Sequence, residues 1–216
     1  MELMRIIGLA IVVLSFITAF YAYPLLPEQI ASHWNLEGDV NGYMPKTVGV
    51  FFMPILAAML FALFIFMPKL DPMKENYKSF MKEYNMMIAL MIGFFYYVYL
   101  LTLAFNLGYS FDFTQFLSPA FGILFYFLGV VIGKAKQNWF VGIRTPWTLS
   151  SEKVWNKTHK ICGDLFQAAG IVAMIGIVFP KIMLMASLGV LIASVVFGVV
   201  YSFMEFEAEK KKRKGA

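Results

Sequence analysis

Charge is scarce in this chain: only 14% of its 216 residues are Asp, Glu, Lys or Arg, where a soluble domain carries about 25%. With 60% hydrophobic residues, a water-facing fold has no interior large enough for its apolar side chains, so lipid must solvate many of them. There is a single cysteine, Cys162, which excludes an internal disulfide framework and argues against a cysteine-based metal site. No ionisable residue falls in the middle of any long apolar run. Proton-coupled carriers and ion pumps keep such groups inside the membrane to bind or relay charge, so those classes are disfavoured. No internal repeat stands out, which weakens an inverted-repeat transporter reading. No Gly/Ser linker divides the chain, and residues 1–216 read as one membrane domain. The first apolar run lacks a small-x-small cleavage site and reads as a membrane anchor, not a signal peptide.

What is present is a series of apolar segments near the roughly 20 residues that a spanning helix requires. They lie at 4–23, 47–67, 86–107, 115–133, 164–180 and 182–204, the last two divided by Pro180-Lys181. One helix across that pair would be too long for a bilayer and proline breaks helices, so a tight hairpin is expected there. Basic residues orient the chain. With the N-terminus inside, all of the 18 Lys and Arg residues except Lys46 and Lys181 fall on one side. The predicted fold class is therefore all-α: a polytopic membrane protein with six transmembrane helices, both termini inside, at the cell membrane. Residues 1–70 hold two spans and an outer loop at 23–46. Residues 86–204 hold the other four, with an inner loop at 134–163, and 205–216 form a basic tail. The net charge of +5 thus reports topology, and no direct nucleic-acid partner is inferred. The bilayer is the first partner, the tail adding attraction to anionic headgroups of roughly 1 kcal/mol per basic residue.

In the outer loop, Leu26-Pro27-Glu28 resembles a helix start. Ile30 and Trp34 then lie one turn apart, so a short interfacial helix is expected on the outer surface. Asn41-Gly42 is a turn signal. Glu37, Asp39 and Asn41 alternate like the opening of a calcium loop, but Val48 stands where that loop needs its bidentate Glu. His33 with Glu28, Glu37 and Asp39 is the remaining set for a divalent ion, against interfacial anchoring of His33 and Trp34. No metal or cofactor is assigned.

The inner loop carries three of the four tryptophans, Trp139, Trp147 and Trp155. Gly142-Ile143-Arg144-Thr145-Pro146-Trp147 reads as a constrained turn. Gly142 permits unusual backbone angles, and Pro146 keeps Thr145 extended. Ser150 or Ser151 caps a second short interfacial helix with Glu152 in its first turn. Trp155, Thr158 and Cys162 share one face of that helix, while Lys153, Lys157 and Lys160 lie off it. Two readings stand. The loop is a docking platform in which Arg144 offers a planar donor fork backed by Trp139 and Trp147, or a corner that anchors indoles and snorkels basic groups. Catalysis has little support: His159 and Cys162 are three apart on a helix with no evident orienting group, and no catalytic residue is assigned. A membrane enzyme or lipid-handling protein would place its site among Asn138, Arg144, Glu152 and His159.

The inner-loop string, with Asn138, Gly142 to Thr148, Ser151-Glu152, Trp155, Thr158-His159 and Gly163, resembles the signature of the SdpI/YfhL family. The outer loop, with Tyr23-Pro24, Leu26-Pro27, Ile30, His33-Trp34-Asn35, Gly38, Gly42-Tyr43 and Lys46, is similar to the domain of unknown function that precedes that signature in many members. The resemblance implies a six-span immunity protein that protects its producer from a secreted, membrane-acting peptide toxin. It also implies recruitment of a cytoplasmic repressor, hence a signalling role. From the two loops themselves, the inner partner-binding candidates are Asn138, Gly142, Arg144, Thr145, Pro146, Trp147, Glu152, Trp155 and His159. The outer ones are Pro27, His33, Trp34, Asn35, Gly38 and Tyr43.

Overall fold

The computed structural model describes residues 2–35 and 38–214. Helix α1 spans Glu2–Ala22, followed by strands β1 (Gln29–Trp34) and β2 (Val40–Pro45) and by α2 (Lys46–Leu70). A 3-10 turn at Lys74–Ser79 leads into α3 (Met81–Asn106), and then come α4 (Phe113–Lys134), the short α5 (Pro146–Ser150), α6 (Glu152–Met174) and α7 (Pro180–Lys214). Six of these helices are long and apolar enough to cross a membrane, and within their apolar windows at most 39% of the residues are buried by protein. The rest, such as Ile6, Ile17, Met59 and Val196, face outward and require lipid, because water would leave their apolar area unburied. The protein is a multi-pass membrane protein. Pro54 and Pro68 sit inside α2 and Pro119 inside α4, which membrane helices tolerate.

The expected break at Pro180 is present: α6 ends through a 3-10 turn at Ile175–Ile177, and Pro180 opens α7, where its missing N–H costs nothing. At 35 residues α7 is about 52 Å long, well beyond a hydrocarbon core of about 30 Å. Its C-terminal turns therefore project beyond the bilayer, held by Lys157 to Glu205 and Ser151 to Glu209.

The outer loop departs from the expected helix. Residues 29–45 form an antiparallel hairpin with Gln29 opposite Pro45, Ile30 opposite Met44 and Ala31 opposite Tyr43, with irregularities between Ala31 and Trp34. The spacing from Ile30 to Trp34 does not distinguish the two structures, since i and i+4 share a side in a strand as well as in a helix. Tertiary contacts decide it. Asn106 of α3 accepts from the Ala31 N–H at 2.7 Å and donates to the Ala31 carbonyl at 3.0 Å, serving as a surrogate strand. Ile30, fully buried, drops onto Gly49, where a Cβ would stand 2.3 Å from its Cδ1.

Helices α1, α2 and α3 pack together, as do α4, α6 and α7, and α3 meets α4 along the seam between these groups. In the second group, α4 and α6 touch backbone to backbone. A Cβ on Gly163 would meet the Gly129 carbonyl oxygen at 2.7 Å, and one on Gly170 would meet the Tyr126 nitrogen at 2.5 Å. Such approach through small residues lets dispersion and weak polar contacts drive association where the hydrophobic effect does not. Ser118 adds a hydrogen bond to the Ala173 carbonyl at 2.9 Å.

Candidate functional site

The chain reverses between α4 and α5 by folding around one amide. Asn138, completely buried, accepts from the N–H groups of Phe140 (2.9 Å) and Val141 (2.6 Å) and donates to the carbonyls of Lys136 (2.8 Å) and Val141 (3.0 Å). Its oxygen also accepts from the Tyr77 hydroxyl at 3.2 Å. That hydroxyl lies equally near Asp71, whose buried carboxylate takes the N–H groups of Met73 (2.7 Å) and Trp139 (2.9 Å). Burial and the Asp71 charge hold the Tyr77 phenol well above its ordinary pKa, so it stays a neutral bridge. Asn76 donates to the Gln137 carbonyl at 2.7 Å, and Gln137 donates to the carbonyls of Thr148 and Leu149, both at 2.8 Å. The first and second inner loops are thus one polar assembly.

A second set of bonds fixes the turn onto α6. Ser151 caps that helix as expected, accepting from the Val154 N–H. Trp155 donates its indole N–H to the Ala135 carbonyl at 2.7 Å and stacks on His159 with ring centres 3.8 Å apart. Nε2 of His159 accepts from the Ile143 N–H and its Nδ1 meets the Trp155 carbonyl, each at 2.9 Å. An N–H on one side and a carbonyl on the other require a neutral ring with its proton on Nδ1. Gly142 has φ +114°, and a Cβ there would lie 2.2 Å from Nε2 of His159, so glycine is required for both reasons. Thr145 and Thr148 form a reciprocal cap for α5, and Thr145 also reaches Ser202 of α7 at 3.0 Å.

The inner candidates therefore divide. Asn138, Thr145, Trp155 and His159 are buried and hold the loop's shape, as does Gly142. Arg144, Pro146 and Glu152 face solvent, and Trp147 is half-buried against Phe203. Arg144 spends one N–H on the Trp139 carbonyl at 2.6 Å. Trp139, whose carbonyl it holds, and Phe140 expose their rings. Glu152 separates two polar recesses: one of about 520 Å³ edged by Glu75, Lys78 and Lys136, and one of about 560 Å³ edged by Ser151, Lys157 and Glu209. With both nitrogens of His159 engaged and the Cys162 thiol directed at the Ser194 carbonyl at 3.7 Å, those two residues form no nucleophile-and-base pair. Asp71, Tyr77 and Asn76 are the participants that sequence reasoning missed; Asp71, a carboxylate directly after an apolar run, was the available signal.

At the hairpin, Trp34 stacks on Phe113 with centroids 4.1 Å apart and meets Phe105 edge-on at 5.2 Å. Asn35 closes the hairpin, accepting from the Asp39 N–H at 2.8 Å, and Gly38 takes φ +87° in the turn. Nδ1 of His33 bonds the side chain of Asn41. Tyr43 and Pro27 are exposed. Glu37 lies outside the described residues. Among the described residues no three His, Cys, Asp or Glu side chains converge to hold a metal, and Glu28 pairs with Lys46 at 3.0 Å.

Residues 134–204, from the end of α4 into α7, match the SdpI/YfhL protein family. Residues 10–58, which contain the hairpin, match a domain of unknown function, DUF1648. The chain is 29% identical over 168 residues to the Immunity protein SdpI of Bacillus subtilis (strain 168), a stretch covering 78% of this chain and 78% of that protein. No solved structure matches it. With six membrane-length helices and both of its motif-bearing loops inside matched regions, the chain is similar to the SdpI/YfhL family over its second half and to DUF1648 near its start.

Proposed function

We propose that this protein is a membrane immunity protein that protects its cell from a secreted, membrane-active peptide. The observation that carries this is the similarity to an immunity protein along 78% of both chains. The geometry supports binding and relay over catalysis. A hairpin stands on one face, a rigid polar platform on the other, and spans without central charges join them. The outer hairpin, with His33, Trp34, Asn35 and Tyr43, meets the peptide. The inner platform, with Arg144, Trp147 and Glu152 at its surface, recruits a cytoplasmic repressor, for which a planar fork beside aromatic rings is a suitable contact.

Expression in a sensitive host tests the first half. Survival should rise against at least one member of a panel of secreted membrane-active peptides, and unchanged survival across the panel refutes the reading. Arg144→Ala tests the second: recruitment of a cytoplasmic protein to the membrane should be lost while insertion and abundance stay normal.

A further inference from the structure

Beneath the hairpin lies a cleft of about 440 Å³, within the roughly 300–1,000 Å³ of ligand cavities. It sits at the seam of the two helix groups. Met53 of α2 and Val98 of α3 line one side, Phe113 and Leu117 of α4 with Leu184 of α7 the other. From the end of α3 at Asn106 to Val98 is eight residues, so the cleft reaches about 12 Å below the hairpin, into the outer half of the bilayer.

Its chemistry is mixed. The walls are apolar, Thr102 and Thr114 bring hydroxyls from facing helices, and Ser32, His33 and Asn35 surround the mouth. None of the described lining residues carries a fixed charge. Trp34 forms part of the wall, and its buried indole N–H has no acceptor among the described residues, although a buried donor normally finds one. His33 commits Nδ1 to Asn41 and keeps Nε2 for another partner.

We infer that this cleft binds an apolar side chain of an uncharged peptide segment lying in the outer leaflet, with the peptide's backbone amides against His33, Trp34 and Asn35. An absence of fixed charge selects against acidic and basic side chains, since burying either without a counter-charge is costly. Donors and acceptors at the mouth favour a peptide over a lipid acyl chain, whose body has nothing to exchange with them. Only the assignment of the peptide to a toxin rests on the immunity reading; the cleft stands on its own geometry.

The test uses full-length protein in nanodiscs of neutral phospholipid. It is irradiated with an acetylated, amidated leucine dipeptide carrying a diazirine side chain, and separately with a diazirine fatty acid. Peptide adducts should map to Trp34, Phe113, Leu117 or Leu184 and fall about tenfold under excess unlabelled dipeptide. The free-acid and free-amine forms should compete about tenfold less well. Leu117→Trp should suppress the adducts by filling the cleft. Should that variant misfold, Leu184→Phe fills it from another helix, with thermal stability measured alongside. Peptide adducts scattered over lipid-facing residues, or fatty-acid labelling of the cleft that the dipeptide cannot displace, would overturn the inference. Cleft labelling without cellular protection would defeat the immunity reading and leave the cleft intact; protection without cleft labelling would do the reverse.

Discussion

Replacing Asn138 by alanine removes the amide around which the inner loop turns. The Lys136 carbonyl, on a partly exposed residue, loses one donor and can regain water. The Phe140 N–H belongs to an exposed residue and regains water. The Tyr77 hydroxyl keeps Asp71. At buried Val141, however, both the N–H (2.6 Å) and the carbonyl (3.0 Å) lose the Asn138 amide. At about 1–3 kcal/mol for each orphaned buried group, Asn138→Ala costs about 2–6 kcal/mol, a large part of the 5–15 kcal/mol that holds typical domains folded. Asn138→Asp should fare no better, since it lacks the two donated bonds and sets a second carboxylate beside the hydroxyl that Asp71 already uses. The assay is equilibrium unfolding of protein in mixed micelles by graded addition of denaturing detergent, followed by tryptophan fluorescence. A change within about 0.5 kcal/mol of wild type, the range of an ordinary surface substitution, would refute the claim that the loop is organised by this side chain.

Other outcomes follow from the same geometry. Gly142→Ala should destabilise the fold even in a His159→Ala background, because removing the ring relieves the 2.2 Å clash but not the φ of +114°; thermal unfolding of the double variant checks it. Gly163→Leu should cost at least the 1–3 kcal/mol typical of overpacking, because the added atoms meet the Gly129 backbone, and its measured thermal midpoint should fall. Trp34→Phe should leave stability equal or raised, since it keeps a ring against Phe113 and deletes an unpartnered donor. The raised Tyr77 pKa contributes stability that is fully present below the ordinary tyrosine value of about 10 and is lost as pH rises beyond it. Tyr77→Phe should therefore flatten the alkaline limb of the stability profile.

The spans, the Pro180 hairpin and the Ser151 cap were legible because each is local: runs of apolar residues, a missing N–H, a hydroxyl before a helix. Basic residues, countable along the chain in the same way, give the expected sidedness, which cysteine labelling tests. The outer hairpin was not legible, since its strand is stabilised by Asn106, 75 residues from Ala31, and four-residue spacing suits either structure. Within the inner loop, composition identified Gly142, Arg144 and the tryptophans but not which of them turn inward. Trp155 and His159 are buried and hydrogen-bonded to Ala135 and Ile143, contacts that no spacing along α6 announces. The partnership of Asn138 with Tyr77, across 61 residues, is equally silent in one sequence.

Everything functional depends on which compartment each face meets, and labelling of single introduced cysteines tests that most directly. Cys162 is buried and gives a low background. With a membrane-impermeant maleimide on intact cells, Tyr43→Cys should label, while Trp139→Cys should label only after permeabilisation. Labelling of Trp139→Cys in intact cells, with Tyr43→Cys protected, would contradict the account.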